Sequence, residues 1–546
     1  MPLRFAQPAA EAYPFPLTIG HLLDTALATS AGREIVYRDQ VRYNYRQFRE
    51  RIGRLASALT RIGAEQGTTI AVMDWDSHRY LESYFAIPML GAVLFTVNVR
   101  LAPAQIAYTL AHAEAEILLV HRDFFPIIEA ILPQLPHLKA VIAIADGMEM
   151  EIACPPFVLG EYEALSAAAD PSFQFADFDE NALATTFYTT GTTGDPKGVS
   201  YSHRQIVLHT LCAKAPFGST RGGGMGHGDV YMPLTPMFHV HAWGLPYVAT
   251  LLGLKQVYPG RYDPNIILDL QQREAVSFSH CVPTIMRMIL TAAAQRDVDL
   301  SGWTVKVGGS PLTSDLCREG LKRGAQLISG YGMSETAPMI AVARWRNSVE
   351  DEDAHVAAMV ASGVPVPMMS ARIVDSQMNP LPADGRTQGE LVLRSPWLTT
   401  CYVGDEAASN ELWRGGWMHT RDVATIDPDG TIIVRDRLKD VIKSGGEWLS
   451  SLALENLISG ADGIAEVAVI GIPHIHWGER PMGIVVRSGS AVPTLEAVNE
   501  LISAAVARGE ASRFALLDRL QIVEALPRTS VGKIDKKKLR ELFADK

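Results

Sequence analysis

The sequence predicts an α/β chain: a large N-terminal domain of βαβ subdomains with a β-rich subdomain, then a small α+β C-terminal domain. Three observations predict it. Helical and strand-like apolar runs alternate down to about residue 310, the pattern that lays helices over parallel sheets. The runs Glu390–Arg394 and Ile432–Val434, with alternating or β-branched character, then mark a strand-rich stretch. Beyond Arg437–Ser451, the strand-like Val467–Ile472 and Met482–Val486 and the helical Leu495–Ala507 read as a unit of their own. A chain of 546 residues has room for this division at roughly 100–200 residues per domain. The expected domains are 1–438 and 439–546.

In order, Ile19–Leu59 reads as helices around a short hairpin with strands Glu34–Tyr37 and Gln40–Tyr43. Thr69–Trp75 is a strand, Tyr80–Leu90 a helix, and Ala92–Val97 a strand. Pro103–His112 is a helix, because proline is well placed in a first helical turn, and Ile117–Val120 is a strand. The glycine-rich run Gly218–Gly228 reads as a loop and misses the dinucleotide fingerprint.

Composition excludes several classes of function. A net charge of −11 argues against a nucleic-acid partner. The five cysteines are scattered and lack a Cys-x-x-Cys pair, which fits a reducing compartment better than a disulfide framework or a zinc cluster. No apolar run is long enough to span a bilayer. Met1–Leu17, broken by four prolines, does not read as a signal peptide, and Phe543–Lys546 is no peroxisomal address, so the expected location is cytoplasmic.

The chemistry concentrates in Tyr188–Ser200, where four threonines and three glycines follow the strand-like Ala182–Tyr188. Such a loop at a strand's carboxyl end lets hydroxyls and bare N–H groups converge on an anion, with Lys197 as a point charge for phosphate. A flexible surface turn would have the same composition. It is not a Walker loop, since Gly198 rather than Ser or Thr follows Lys197. The pair His239 and His241 lacks a carboxylate or cysteine at metal-site spacing, so a strand-to-helix junction is the plain reading there. Glu335, between Ser334 and Thr336, suits either a helix start or an Mg²⁺ partner. Asp422 alone reads as a surface or turn residue. Trp243 alone reads as core.

Five segments recur in a family order: Pro236–His239, Tyr331–Thr336, Thr420–Asp422, Arg437–Asp440 and Pro527–Lys533. Together with Tyr188–Ser200 they resemble the AMP-forming acyl-CoA synthetases of the adenylate-forming superfamily, over nearly the whole chain. The resemblance is greatest to bacterial fatty acyl-CoA ligases and 3-methylmercaptopropionate-CoA ligases. It implies an adenylate-forming fold with a mobile C-terminal domain, and the substrates and cofactors ATP, Mg²⁺ and CoA. It implies catalytic roles for Lys533, His239 and the hinge residue Lys439. Thr189, Thr190, Gly191, Thr192, Thr193, Gly194 and Lys197 would grip phosphate. Tyr331, Gly332, Thr336, Asp422 and Arg437 would hold the nucleoside, with Asp422 on the ribose. Lys443, Gly445, Gly446, Glu447 and Trp448 would meet CoA. Glu335, with Thr189, would hold Mg²⁺. The acid pocket would comprise Trp243, as a gate, with Gly308, Gly309, Pro311, Met333, Ala337, Pro338 and Met339. Arg421 stands where many relatives have glycine, which puts the local backbone shape in question.

The activity implied is ligation of an apolar acid to CoA through an acyl-adenylate, with a short- or medium-chain acid favoured. Loading of a carrier protein is the alternative. Long-chain relatives pair through their N-terminal region, so a homodimer is expected.

Overall fold

The structure, a computed structural model, describes residues 3–146, 155–189, 195–218, 224–343, 351–445, 447–489, 491–508, 511–528 and 534–543. Four sheets organise the described residues, and three of them belong to the large N-terminal part.

The first sheet has nine strands. Its parallel centre runs Gln326–Gly332, Thr304–Val307, Phe278–Cys281, Val230–Leu234, Lys255–Tyr258 and Glu34–Tyr37. Antiparallel strands close it, Met339–Val342 and Val364–Pro365 at one edge and Val41–Asn44 at the other. The two faces differ. Met232, Leu234, Cys281, Val305, Val307 and Leu327 pack with Ile267, Met286, Ile289 and Leu316 from the helices Pro264–Glu274, Pro283–Arg296 and Ser314–Lys322. Tyr231 and Phe278 point the other way, onto Leu245, Val248 and Ala249 of the helix Leu245–Leu251. This division follows from the two-residue period of a strand, which sends neighbouring side chains to opposite faces.

The second sheet has seven strands in the order Gly160–Glu161, Ala140–Ile144, Ile117–His121, Thr69–Met73, Val93–Thr96, Leu183–Thr189 and Lys197–Ser202. All pairs are parallel except the last, which is antiparallel. The all-loop reading of Tyr188–Ser200 therefore needs correction, because Lys197 begins a strand whose Cα partner is Thr189. Hydrogen bonding to a neighbouring strand overrides the weak strand propensity of this glycine-containing run. The third sheet is a four-stranded antiparallel meander: Ser370–Val374, Gly389–Arg394, Met418–Ile426 and Ile432–Arg437. It supplies the expected β-rich portion and adds Met418–Ile426, which the sequence reading did not mark.

The C-terminal sheet pairs Glu447–Leu449, Ile442–Ser444, Gly478–Arg487 and Ile464–His474 antiparallel, with Arg519–Val523 parallel to Gly478–Arg487. The helices Ser451–Ser459 and Leu495–Ala507 bury Leu454, Ile458, Val498 and Ile502 in its own core. Local chemistry explains where many helices begin. Asn44 and Gln47 form a reciprocal capping box for Tyr45–Arg61, and Asp263 accepts from the N–H groups of Asn265 and Ile266 ahead of Pro264–Glu274. Among the described residues no helix is long and apolar enough to cross a membrane.

Candidate active site

The best-defined cluster joins two sheets. Tyr331 lies at the end of Gln326–Gly332, and Asp422 and Arg437 are Cα partners on adjacent strands of the meander. The Tyr331 hydroxyl donates to Asp422 Oδ2 at 2.5 Å, and Arg437 Nε stands 3.0 Å from Oδ1. Asp422 is only 3% exposed, and a carboxylate buried to that degree needs such donors. The Tyr331 phenol is pushed up by burial and by the Asp422 charge, so it stays a donor. The surface reading of Asp422 is thus corrected, since its neighbours satisfy it in the interior.

Arg421, just before it, has φ +59°, a backbone region that glycine enters without steric cost. Its carbonyl accepts from Leu438 N–H at 2.9 Å. The departure from glycine is accommodated by strain.

A second cluster forms around Tyr402. Its hydroxyl donates to Glu335 Oε1 at 2.7 Å, and Lys197 Nζ stands 4.8 Å from its ring centroid. Lys197 also approaches Asp405 Oδ2 at 3.4 Å. Main-chain bonds fix this arrangement: Val199 bridges to Tyr402, and Val403 N–H donates to the Gly198 carbonyl. The sequence reading missed Tyr402 and Asp405. Cys401–Asp405 carries no local signature, and its ties run to residues far away in the chain.

Gly332 is dictated by crowding, because a Cβ there would lie 1.8 Å from the Pro338 carbonyl oxygen. Thr336 is fully buried, and its hydroxyl is spent on the Met333 and Pro338 carbonyls of its own turn. Thr189 Oγ1 reaches the Lys197 carbonyl at 3.5 Å. Met333 N–H donates to the Pro338 carbonyl, Ala337 N–H to the Tyr201 hydroxyl and Met339 N–H to His209 Nε2, so backbone lines this turn.

The residues expected to line the acid pocket include an unusual segment. Val240, His241, Ala242 and Trp243 all have φ between +47° and +59°, and Gly244 follows at +70°. Each non-glycine residue held left-handed costs about 1–2 kcal/mol. The turn sets Trp243 against the first sheet, its ring 5.2 Å from that of His280. A Cβ on Gly308 would come 3.1 Å from Trp243 Cη2 and 2.8 Å from the Gly330 carbonyl. Gly309 takes φ +75°, while Pro311 is exposed and stands apart from this contact. His241 is buried among Tyr84, Phe187 and Tyr247, and burial lowers its pKa to about 3. His239 is half-buried at the head of the turn.

Lys439, Lys443, Gly445, Glu447 and Trp448 are exposed. Lys443 lies 5.5 Å from the Trp448 ring centroid, and its N–H donates to Glu479. These contacts hold the hairpin within the C-terminal sheet. Thr190, Gly191, Thr192, Thr193, Gly194, Gly446 and Lys533 lie outside the described residues. Among the described residues no three potential metal-ligating side chains cluster. A single carboxylate, Glu335, suits a hard cation that takes its other oxygens from a nucleotide.

A cavity of about 520 Å³ lies elsewhere, in the C-terminal domain between Met482, Leu520 and Phe543. It contains none of these residues.

Comparison with known proteins gives the class of the chain. Residues 23–403 match the family model described as AMP-binding enzyme, and residues 453–533 match the AMP-binding enzyme C-terminal domain. The chain belongs to the AMP-binding enzyme family. It is 38% identical over 539 residues to a long-chain-fatty-acid–CoA ligase of Thermus thermophilus, covering 96% of each chain. It is 35% identical over 546 residues to a 3-methylmercaptopropionyl-CoA ligase of Ruegeria lacuscaerulensis, covering 97% of this chain and 98% of the other. With a medium-chain-fatty-acid–CoA ligase of Ectopseudomonas oleovorans the identity is 36% over 538 residues, covering 97% and 96%. Within its family the chain is an AMP-forming acyl-CoA ligase. The fold is shared with an anthranilate CoA ligase, AuaEII, solved with anthranoyl-AMP: TM-score 0.84 at 22% identity, over 97% of this chain and 98% of that one.

Proposed function

We propose that the enzyme activates a short- or medium-chain acid with an apolar chain, in two half-reactions on one site. A substrate carboxylate oxygen attacks the α-phosphorus of ATP, the bond to the β-phosphate breaks, and pyrophosphate leaves with the electron pair. The CoA sulfur, having lost its proton, then attacks the acyl carbon of the mixed anhydride, and AMP departs. In-line phosphoryl chemistry of this kind depends on positioning and on neutralising charge.

The observation that carries this reading is the convergence of Tyr331, Asp422 and Arg437 beside the Glu335–Tyr402–Lys197 cluster. In the proposal Asp422 accepts from the ribose hydroxyls, with Tyr331 and Arg437 fixing its two oxygens. Lys197 and the threonine-glycine run ahead of it hold phosphate. Glu335, with Thr189 beside the phosphates, holds Mg²⁺, which when bound offsets phosphate charge. His239 sits at the substrate carboxylate, and Trp243 gates a pocket that includes Gly308 and Met333. Lys533 bridges the carboxylate and the α-phosphate. The domain from 439 onward then turns about Lys439, withdrawing Lys533 and bringing Lys443–Trp448 to CoA. Domain closure also keeps water from the adenylate.

The proposal extends to a cytoplasmic setting, supported by the free thiols of Cys212, Cys281 and Cys317. It extends also to a homodimer, for which exposed Leu3, Phe5, Tyr13 and Phe15 supply apolar surface.

The test is AMP release from ATP across acetate, hexanoate, octanoate, palmitate and 3-methylmercaptopropionate, each with and without CoA. CoA-dependent release with the shorter acids is expected. AMP formation indifferent to CoA would point to another acyl acceptor. Lys533→Ala should slow adenylation by about 10²–10³-fold, as loss of one transition-state donor does, and spare thioester formation from supplied acyl-AMP. Equal loss in both half-reactions would remove the support for domain rotation.

A further inference from the structure

The segment that leads into His239 follows the strand Val230–Leu234 of the nine-stranded sheet, yet side chains from the seven-stranded sheet hold it. Asp76 comes just after the strand Thr69–Met73, and its Oδ1 accepts from Met237 N–H at 2.8 Å. The Tyr84 hydroxyl, on the helix His78–Met89, donates to the Met237 carbonyl. The Thr96 hydroxyl donates to the Phe238 carbonyl at 3.0 Å. The segment then closes on itself, with His239 N–H donating to the Pro236 carbonyl at 2.9 Å. Met237 and Phe238 are buried, where main-chain groups need partners from the protein. Three such groups just ahead of His239 are therefore fixed from another sheet.

Asp76 differs from the other two side chains. Its own backbone is tied down, since Gly260 N–H donates to its carbonyl at 2.9 Å. Its second oxygen, Oδ2, accepts from the Tyr262 hydroxyl at 2.6 Å, so both carboxylate oxygens are committed. Asp76 also titrates near neutrality, whereas threonine does not titrate and burial raises the Tyr84 phenol well above its usual range. Burial pushes Asp76 up to about 7, against the lowering pull of the Tyr262 hydroxyl, the Met237 N–H and the Arg100 guanidinium. Asp74 is the second carboxylate facing it, and its charge adds to the rise. The phenols of Tyr80, Tyr231, Tyr258 and Tyr262 also face it, and burial keeps each protonated. A protonated Asp76 can turn its hydroxyl to Tyr262 and still accept from Met237. That bond is then a neutral one, about half as strong as the charge-assisted bond it replaces.

We propose that Asp76 is a positioning residue for adenylation: its charged carboxylate fixes the turn that presents His239, and the turn loosens when that charge is lost. The inference rests on the proposed placing of His239 at the substrate carboxylate. In this role Asp76 acts through the Met237 N–H, two residues ahead of His239, and not on the acid itself. Misplacing a catalytic group by about 1 Å can cost ~10²-fold in rate, so a main-chain tether this close to His239 has leverage over the reaction.

The experiment follows pyrophosphate release with octanoate between about pH 6 and pH 8, on either side of the Asp76 titration. It uses wild type, Asp76→Asn, Tyr262→Phe, His239→Ala and the double variant of Asp76→Asn with His239→Ala. Asparagine keeps both bonds, its oxygen on Met237 N–H and its amide on the Tyr262 oxygen, so it mimics the protonated acid at every pH. Its kcat should be roughly fivefold below wild type at the alkaline end, the difference between a charge-assisted and a neutral hydrogen bond. The two enzymes should converge at the acid end, with the KM for ATP unmoved throughout. Tyr262→Phe removes a donor to the charged carboxylate, so the fall in kcat should shift to higher pH. In the slowed His239→Ala enzyme, Asp76→Asn should add no further loss. An Asp76→Asn enzyme with the wild-type rate and pH profile would overturn the inference, even if its unfolding midpoint fell. So would an unmoved profile in Tyr262→Phe, or additive losses in the double variant. Full activity in His239→Ala would instead defeat the placing of His239 and take the inference with it. Silence toward octanoate and the wider panel would defeat the ligase reading itself.

Discussion

Replacing Asp422 with asparagine keeps the side chain's shape and removes its charge, so the consequence can be worked out atom by atom. Oδ1 faces Arg437 Nε, which can only donate, and Oδ2 faces the Tyr331 hydroxyl, which can donate or accept. Asparagine must therefore turn its oxygen to Arg437 and its amide to Tyr331, reversing the direction of that second bond. Two charge-assisted bonds become neutral-acceptor bonds, a loss of about 1 kcal/mol each. Arg437 is 46% exposed and regains water, so its share is discounted toward the value of a surface pair. Stability should fall by only about 1–2 kcal/mol.

Nucleotide binding should fall further. A carboxylate accepts from two hydroxyls at once, whereas asparagine's single oxygen is already taken by Arg437. The expected result is a 10–100-fold rise in the KM for ATP with a smaller change in the KM for the acid. Initial rates of pyrophosphate release against ATP concentration measure it, and guanidinium unfolding of the same sample measures the stability term. An Asp422→Asn enzyme whose KM for ATP stays within twofold of wild type would refute the assignment of this carboxylate to the nucleotide.

Arg421→Gly relieves a non-glycine residue at φ +59° on the surface and should raise stability by about 0.5–1 kcal/mol; a loss in denaturant midpoint would show that the Arg421 side chain matters more than the strain. His203 is held neutral by burial with a pKa of about 4, below the ordinary value near 6.5, so the unfolded chain binds the extra proton between those values. Stability is full above about pH 6.5 and falls by up to ~1.4 kcal/mol per unit as pH drops toward 4; His203→Gln should flatten that slope, and equal slopes for the two proteins would contradict it. Lys536 donates to Ser451 Oγ at 2.7 Å and pairs with Glu455 at the same distance, next to buried Asp436. Lys536→Met strands two carboxylates whose pKa values burial already raises, and should cost about 3 kcal/mol at pH 7 and less at pH 5 in urea unfolding; a loss below 1 kcal/mol would refute the coupling.

The parts of the fold legible in the sequence were those specified locally. The helix Leu495–Ala507 has the predicted limits because Thr494 caps it, and Pro103–His112 because proline opens it. The strand Lys197–Ser202 was not legible, since only pairing with Leu183–Thr189 makes it a strand. Asp422 carried no sign of burial in its own neighbourhood. Its donors come from residue 331 and from the next strand, and the resemblance rather than the residue pattern singled it out. Tyr402 was invisible for the same reason, because its partner Glu335 is 67 positions away.

These cases share a geometric cause. Tyr331 comes from the nine-stranded sheet, Asp422 and Arg437 from the four-stranded meander, and Lys197 from the seven-stranded sheet. The contacts that shape the site proposed for the nucleotide are therefore also contacts that join the sheets. The Tyr331–Asp422 bond joins the first sheet to the third, and the Tyr402 segment ties Glu335 to the strand bearing Lys197. A substitution at such a residue loosens packing and alters binding at once. The core beneath the first sheet, by contrast, is assembled from side chains away from these clusters, such as Val305, Val307 and Trp303.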